Sequence, residues 1–171
     1  MGSLMYRVLF VCTGNTCRSP MAVQVLRRGL AETGLAAEVA SAGLRAEAEG
    51  GPADPRAQEV LMAHGYPSAH AVRQFEPGMF EEYDLIIALD SQHEWVLRRM
   101  AQDGAAARRV RLLGTFDPSA GAGWDVPDPV GGDISDYERT LRLVQSAMPG
   151  VLAEVTAAIS TCPAASGSDC G

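Results

Sequence analysis

The segment 12–19, Cys-Thr-Gly-Asn-Thr-Cys-Arg-Ser, places a thiol, a guanidinium and a hydroxyl within one short stretch. Five residues separate Cys12 from Arg18, a C-x5-R spacing. Cys12 supplies a nucleophilic sulfur, and Arg18 supplies a planar fork of donors that matches two phosphoryl oxygens. If the segment forms a tight loop before a helix, its backbone N–H groups also converge on an anion. These residue types at this spacing predict a site where a thiolate attacks phosphorus.

The flanking residues predict the strand and helix that hold this loop. Residues 6–11 are rich in β-branched and aromatic residues, which is typical of a buried strand. Ser19 and Pro20 are typical of a helix start, with Ser19 as the N-cap and residues 21–30 continuing the helix. Amides, the helix N-terminus and the neighbouring guanidinium favour the thiolate form of Cys12, and the Ser19 hydroxyl is placed to donate to the sulfur.

The stretch 8–22, Val-Leu-Phe-Val-Cys-Thr-Gly-Asn-Thr-Cys-Arg-Ser-Pro-Met-Ala, resembles the N-terminal signature of the low-molecular-weight protein tyrosine phosphatases. Further matches follow in the family's order: Ser41-Ala42-Gly43, Asp54-Pro55-Arg56, Arg73-Gln74, residues 84–90 and residues 125–129. The resemblance covers residues 6–159 and implies a cysteine-dependent phosphoric monoester hydrolase with a cysteinyl-phosphate intermediate, no metal and no cofactor. It also implies that the loop binds phosphate through Thr13, Gly14, Asn15, Thr16, Cys17, Arg18 and Ser19.

A carboxyl group is the second requirement of this chemistry, since the leaving group needs a proton and the intermediate needs an activated water. Asp128, between Pro127 and Pro129, takes both roles in turn according to the family pattern. Asp125 is the weaker alternative. The resemblance also implies that His70 and Asp90, together with Ser19, support the loop from behind.

Cys17 has two interpretations. It is a small apolar filler, or it is a resolving thiol that traps an oxidised Cys12 as a reversible disulfide. Some members of the family have such a vicinal pair, which favours redox regulation through Cys12 and Cys17.

The residues expected around the substrate depart from the family. Many members have Trp-His where this chain has Glu47 and Ala48, and an aromatic pair where it has Val130-Gly131. Two aromatic walls for a phosphotyrosine ring are therefore expected to be missing, and Trp124 and Tyr137 are the candidates to replace them.

Four functions follow from these residues, in order of preference. Phosphotyrosine phosphatase comes first. Protein arginine phosphatase comes second. Thr16 and the sequence Asp-Pro-Val-Gly-Gly at 128–132 resemble the corresponding residues of the bacterial protein arginine phosphatases, a related branch. Arsenate reductase is third, since Cys162 and Cys170 lie in the tail rather than near a mobile active-site segment. A non-catalytic phosphate-binding module is last, because it needs no nucleophile with a matched acid.

Composition limits the partners. The chain has 171 residues, 47% of them hydrophobic, and we expect one phosphatase domain over 5–160 with a flexible tail over 161–171. The formal net charge of −7 argues against nucleic acid. No apolar run of membrane length or signal-peptide pattern is seen, and the thiol chemistry favours a reducing cytoplasm. We expect a monomer acting on a phosphorylated protein and releasing inorganic phosphate. All 14 basic residues are arginine, which suggests a bacterial source.

The remaining pattern predicts an α/β fold with alternating strands and helices. Further strands are expected at 38–41, 85–89 and 110–113. Helices are expected from Asp54 to 64, closed by Gly65, from Ser91 to 101, and from Asp133 or Ser135 onward. From the resemblance we expect a four-stranded parallel sheet in the flavodoxin-like order 2-1-3-4, with helices on both faces.

Overall fold

One parallel sheet organises the fold. The computed structural model describes residues 5–161 and contains the strands β1 (Tyr6–Cys12), β2 (Ala37–Gly43), β3 (Leu85–Ala88) and β4 (Val110–Leu112). Their order is β2-β1-β3-β4, and every pairing is parallel. The predicted sheet and its order are confirmed.

Helices connect the strands. They are α1 (Arg18–Thr33), α2 (Pro55–Ala63), α3 (Met79–Glu82), α4 (Ser91–Met100), α5 (Gly104–Arg108) and α6 (Ile134–Thr161), with a 3₁₀ turn at Leu113–Phe116. The sequence did not predict α3, α5 or the 3₁₀ turn. Each is five residues or shorter, too short to show a helical period.

The inner strand β1 is buried on both faces, as parallel strands covered by helices are. Val8 and Phe10 belong to one apolar cluster, which includes buried residues of α1 and α6. Leu9 and Val11 belong to the other cluster, with residues of α3 and α4. Helices therefore cover both faces, as predicted, and β1 ends at Cys12 with no freedom to shift in register.

Two predicted helix caps are wrong and one is confirmed. Helix α1 begins at Arg18, so Ser19 lies inside its first turn, and its hydroxyl is engaged by other side chains. Asp90, not Ser91, caps α4, and its carboxylate accepts from the backbone N–H of His93. Asp54 caps α2 as predicted and accepts from the N–H of Arg56.

Helix α6 is the longest element. By length and composition alone it is apolar enough to cross a membrane, although the sequence has no uninterrupted apolar run of that length. Its buried positions recur at helical spacing, including Leu141, Val144, Met148 and Val151, and they belong to the same apolar cluster as α1. One buried stripe of this kind is typical of an amphipathic helix that packs one face on the core. The predicted tail 161–171 begins at Thr161, the last residue of α6, and its remaining residues, with Cys162 and Cys170, lie outside the described residues.

Candidate active site

The predicted phosphate-binding loop lies between β1 and α1, at the carboxyl end of the central strand. Cys12 pairs in register with Gly43 of β2. A Cβ on Gly43 would lie 2.8 Å from the carbonyl oxygen of Thr13 and 2.9 Å from the nitrogen of Asn15. Only glycine lets β2 approach the loop this closely.

Asn15 is the hub of the loop. It is fully buried, with a left-handed backbone at φ 57°. Its Nδ2 donates to Ser19 Oγ at 2.9 Å and to Ser41 Oγ at 2.8 Å, and its Oδ1 accepts from the N–H of Arg73 at 2.8 Å. The imidazole Nε2 of His70 donates to the Asn15 carbonyl at 2.7 Å, and burial lowers the pKa of His70. Every polar group of the asparagine side chain is used, which offsets the strain of its backbone.

The sulfur of Cys12 is oriented by this hub. Cys12 is 3% exposed, and its Sγ lies 3.0 Å from Ser19 Oγ. Because Asn15 Nδ2 is a donor only, Ser19 Oγ accepts from it, and the serine hydroxyl hydrogen stays available for donation to the sulfur. The hydroxyl of Ser19 thus lies at hydrogen-bond distance from the sulfur, where the sequence predicted it.

Arg18 lies under the site and is 3% exposed. Its Nη1 donates to Asp90 Oδ2 at 2.8 Å and to the carbonyl of Val126 at 3.1 Å. Its Nη2 donates to Thr13 Oγ1 at 3.3 Å and to Asp128 Oδ2 at 3.2 Å. Two carboxylates on a buried guanidinium fix its plane and compensate its charge.

His93 is a member of this network that sequence reasoning missed. Its Nε2 lies 2.8 Å from Thr13 Oγ1, and its Nδ1 lies 3.0 Å from Asp90 Oδ1 without the geometry of a hydrogen bond. Burial lowers the pKa of His93 to about 4, and the neighbouring Arg18 charge acts in the same direction, so the ring is neutral at pH 7. One histidine on a helix gives no sequence signal that would have identified it.

The two candidate acids occupy different positions. The Asp128 side chain is 49% exposed, lines the same cavity as Cys12, and its Oδ1 accepts from the N–H of Val130 at 3.1 Å. Asp125 instead accepts from both the N–H and the hydroxyl of Ser91, each at 2.8 Å. Asp125 therefore ties its loop to the start of α4, and the geometry favours Asp128 as the proton carrier.

A cavity of about 380 Å³ opens above the loop. Glu47, Ala48 and Val130 line it, at the positions where the sequence analysis expected aromatic walls to be missing. Trp124 donates its indole N–H to Asp117, and Tyr137 is fully buried under Cys17. Neither side chain lines the cavity, so the idea that they replace the walls is wrong.

Cys17 faces away from bulk solvent. It is 3% exposed, and its Sγ donates to the Tyr137 hydroxyl at 3.8 Å and lies 3.6 Å from Thr16 Oγ1. Burial raises the pKa of the Cys17 thiol to about 11. A neutral thiol attacks an oxidised sulfur slowly, so a Cys12–Cys17 disulfide stays a prediction. Among residues 5–161 no group of three His, Cys, Asp or Glu side chains is placed to hold a metal ion.

A buried thiol at the end of an inner parallel strand, followed by a helix that begins at Arg18, fits a cysteine-dependent phosphatase. The sequence model of the family "low molecular weight phosphotyrosine protein phosphatase" matches residues 7–161. The chain belongs to this family.

Two bacterial relatives illustrate the likeness in sequence. The low molecular weight protein-tyrosine-phosphatase of Streptomyces coelicolor is 48% identical over 88% of this chain and 93% of its own. The low molecular weight protein-tyrosine phosphatase A of Mycobacterium tuberculosis is 45% identical over 84% of this chain and 88% of its own.

Solved structures share the fold. A protein tyrosine phosphatase from Entamoeba histolytica superposes with a TM-score of 0.84 at 25% identity, over 90% of this chain and 99% of its own. The YwlE arginine phosphatase superposes with a TM-score of 0.79 at 31% identity, over 88% of this chain and 95% of its own.

Proposed function

We propose that this protein hydrolyses phosphotyrosine in phosphoproteins through a covalent phosphate on Cys12. The observation that carries the proposal is the meeting of Cys12, Arg18 and Asp128 at one cavity of about 380 Å³, with Ser19 directed at the sulfur. The curated relatives at 48% and 45% identity are named protein-tyrosine phosphatases, which supports this substrate class.

In the first step the Cys12 thiolate attacks phosphorus, the S–P bond forms and the bond from phosphorus to the tyrosine oxygen breaks. Protonated Asp128 gives its proton to the departing phenolate. The N–H groups of residues 13–18 and the Arg18 guanidinium bind the phosphoryl oxygens and the charge that they gain.

In the second step water attacks the phosphorus of cysteinyl phosphate. Asp128 accepts a proton from the water, the S–P bond breaks, and inorganic phosphate leaves with the Cys12 thiolate restored. Ser19 stabilises that leaving sulfur by its hydrogen bond. A phosphorylated active-site serine in a YwlE variant supports covalent transfer at the corresponding loop.

Phosphoarginine is the second candidate substrate. Thr16 lines the cavity, and Ala48 and Val130 give it small side walls that do not require a flat ring. The likeness to an arginine phosphatase points the same way. The cavity thus favours neither leaving group by shape alone.

Specificity constants for phosphotyrosine and phosphoarginine peptides of one sequence test this order. We expect the phosphotyrosine peptide to have the higher kcat/KM. Thr16→Ile should leave that value within about threefold and depress turnover of phosphoarginine, because a branched alkyl group excludes a polar guanidinium. A higher kcat/KM for phosphoarginine in the wild type would reverse the assignment.

The wider setting completes the proposal. A phosphorylated protein is the substrate, the enzyme acts as a monomer in the cytoplasm, and neither nucleic acid nor membrane is a partner. The net charge of −7 supports the exclusion of nucleic acid.

A further inference from the structure

Arg56, in the first turn of α2, lies outside the cavity and is bound on two sides. Its Nε and Nη2 donate to the two carboxylate oxygens of Asp54 at 3.1 and 3.0 Å. Its Nη1 donates to the carbonyl oxygen of Gly132 at 2.8 Å. One guanidinium therefore joins the start of α2 to the end of the segment 128–132, which carries Asp128.

Asp54 extends this connection to the phosphate-binding loop. Its backbone N–H donates to the carbonyl of Thr16 at 2.8 Å, and its side chain caps α2. Burial acts to raise the pKa of Asp54, and hydrogen bonds from Arg56 outweigh burial, so its pKa lies below the ordinary value and the carboxylate is charged. Hydrogen bonds thus run from Thr16 through Asp54 and Arg56 to Gly132, behind the cavity rather than through it.

Arg56 also stacks on the ring of Tyr137. Its guanidinium carbon lies 4.8 Å from the centre of the Tyr137 ring, and Tyr137 is fully buried on α6. A stacked and doubly bonded guanidinium loses most of its rotational freedom. The link is therefore rigid enough to set a distance between two segments.

The segment that it holds needs such a link. Gly131 has φ 84°, and Val130 and Asp128 are 59% and 49% exposed. Asp128 contacts the rest of the site through one bond to Arg18 at 3.2 Å. Substrate phosphate competes for Arg18, so the acid needs a restraint that persists when substrate is bound.

We propose that Arg56 is a positioning residue that holds the segment 128–132 at a fixed distance from the phosphate-binding loop and so places Asp128 for proton transfer. The inference rests on the proposed phosphatase function. It predicts that loss of Arg56 weakens proton donation to the leaving group more than it weakens phosphate binding.

The test measures kcat/KM of Arg56→Gln on aryl phosphates whose phenols differ in acidity. With 4-nitrophenyl phosphate, a good leaving group, we expect a loss of about twofold. With phenyl phosphate, which needs the proton, we expect a loss of about 20-fold, part of the 10²–10⁴ that a general acid contributes. Arg56→Lys should fall between, because an ammonium lacks the planar fork.

Arg28→Gln is the matched control. Arg28 also stacks on a tyrosine, Tyr66 at 3.4 Å, and also donates to backbone carbonyls, those of His64 and Gly65. It lies away from the segment 128–132, so we expect equal small losses on both substrates.

A double-mutant cycle with Asp128→Asn decides the mechanism. If Arg56 acts through Asp128, Arg56→Gln adds no further leaving-group dependence in the Asp128→Asn background. Parallel losses on both substrates, or additive effects in the cycle, would overturn the inference while leaving the phosphatase assignment intact. Should Arg56→Gln not fold, Arg56→Lys carries the same comparison. The cysteine-dependent phosphatase mechanism is tested separately and fails if Cys12→Ser retains near-normal turnover.

Discussion

The nucleophile loop and the acid segment differ sharply in how they are held. Asn15, Arg18 and Ser19 are buried, and their side chains bond to groups from four other parts of the chain. Asp128 and Val130 are half exposed and are held at few points. The anion-binding half of the site is thus built before substrate arrives, and the proton-carrying half stays open to substrate and water.

Cys12→Ser should have the largest effect. We expect kcat to fall by at least about 10⁴-fold, because a hydroxyl in this loop is a far weaker nucleophile than a thiolate. Titration with inorganic phosphate should still detect binding, since the rest of the loop is preformed. Near-normal turnover by this variant would rule out the cysteine mechanism.

Asp128→Asn tests the proton-carrying half of the site. We expect kcat/KM on phenyl phosphate to fall by about 10²–10³-fold, with phosphate affinity retained. Asp125→Asn is the matched control, because it bonds to Ser91 instead. It should cost about 1 kcal/mol of unfolding free energy, as loss of a cap does, and little rate. Equal rate losses in both variants would contradict the assignment of the acid.

Gly43→Ala tests how tightly the anion-binding half of the site is packed. The new methyl meets backbone atoms of Thr13 and Asn15 that cannot rotate away. We expect a loss of about 1–3 kcal/mol in unfolding free energy and a loss of about tenfold in kcat/KM. Gly78→Ala, where the space is open, is the control and should be neutral in both measurements. Full activity in Gly43→Ala would mean that the loop adapts.

His93, in the anion-binding half, should make the unfolding free energy depend on pH. Its folded pKa of about 4 lies below its unfolded value of about 6.5, so the unfolded chain binds a proton first as the pH falls. The stability is complete above pH 6.5 and is lost progressively down to pH 4. Urea unfolding at pH 7 and pH 5 should differ by about 2 kcal/mol from this residue.

His93→Gln is the comparison. A glutamine does not titrate, so the variant should lose the part of the slope between pH 6.5 and 4 that the histidine supplies. The charged neighbours Asp90 and Arg18 are unchanged in it. An identical pH slope in wild type and variant would show that the fold does not lower the pKa of His93.

The sequence predicted the strand and helix on either side of the phosphate-binding loop because their determinants are local. β1, the loop and α1 are adjacent in the chain, and Cys12, Arg18 and Ser19 fall within eight residues. The exact start of α1 was wrong because the Ser19 hydroxyl has tertiary partners that a capping rule does not see.

Long-range hydrogen bonds were out of reach from sequence. Arg56 bonds to Gly132, 76 residues away, and Thr13 contacts His93, 80 residues away. The residues next to Arg56 and His93 in the sequence do not indicate these distant partners. The motif Asp54-Pro55-Arg56 was visible, and its connection to the acid segment was not.

The central place of β1 ties the assembly of the site to the assembly of the chain. β1 pairs with both β2 and β3, and Arg18 bonds to residues 72 and 110 positions later. Closing such long loops makes folding slow, and the anion nest exists only after they are closed. Inorganic phosphate is therefore expected to bind the folded chain and not the unfolded one, and phosphate binding should recover only after these long loops have closed.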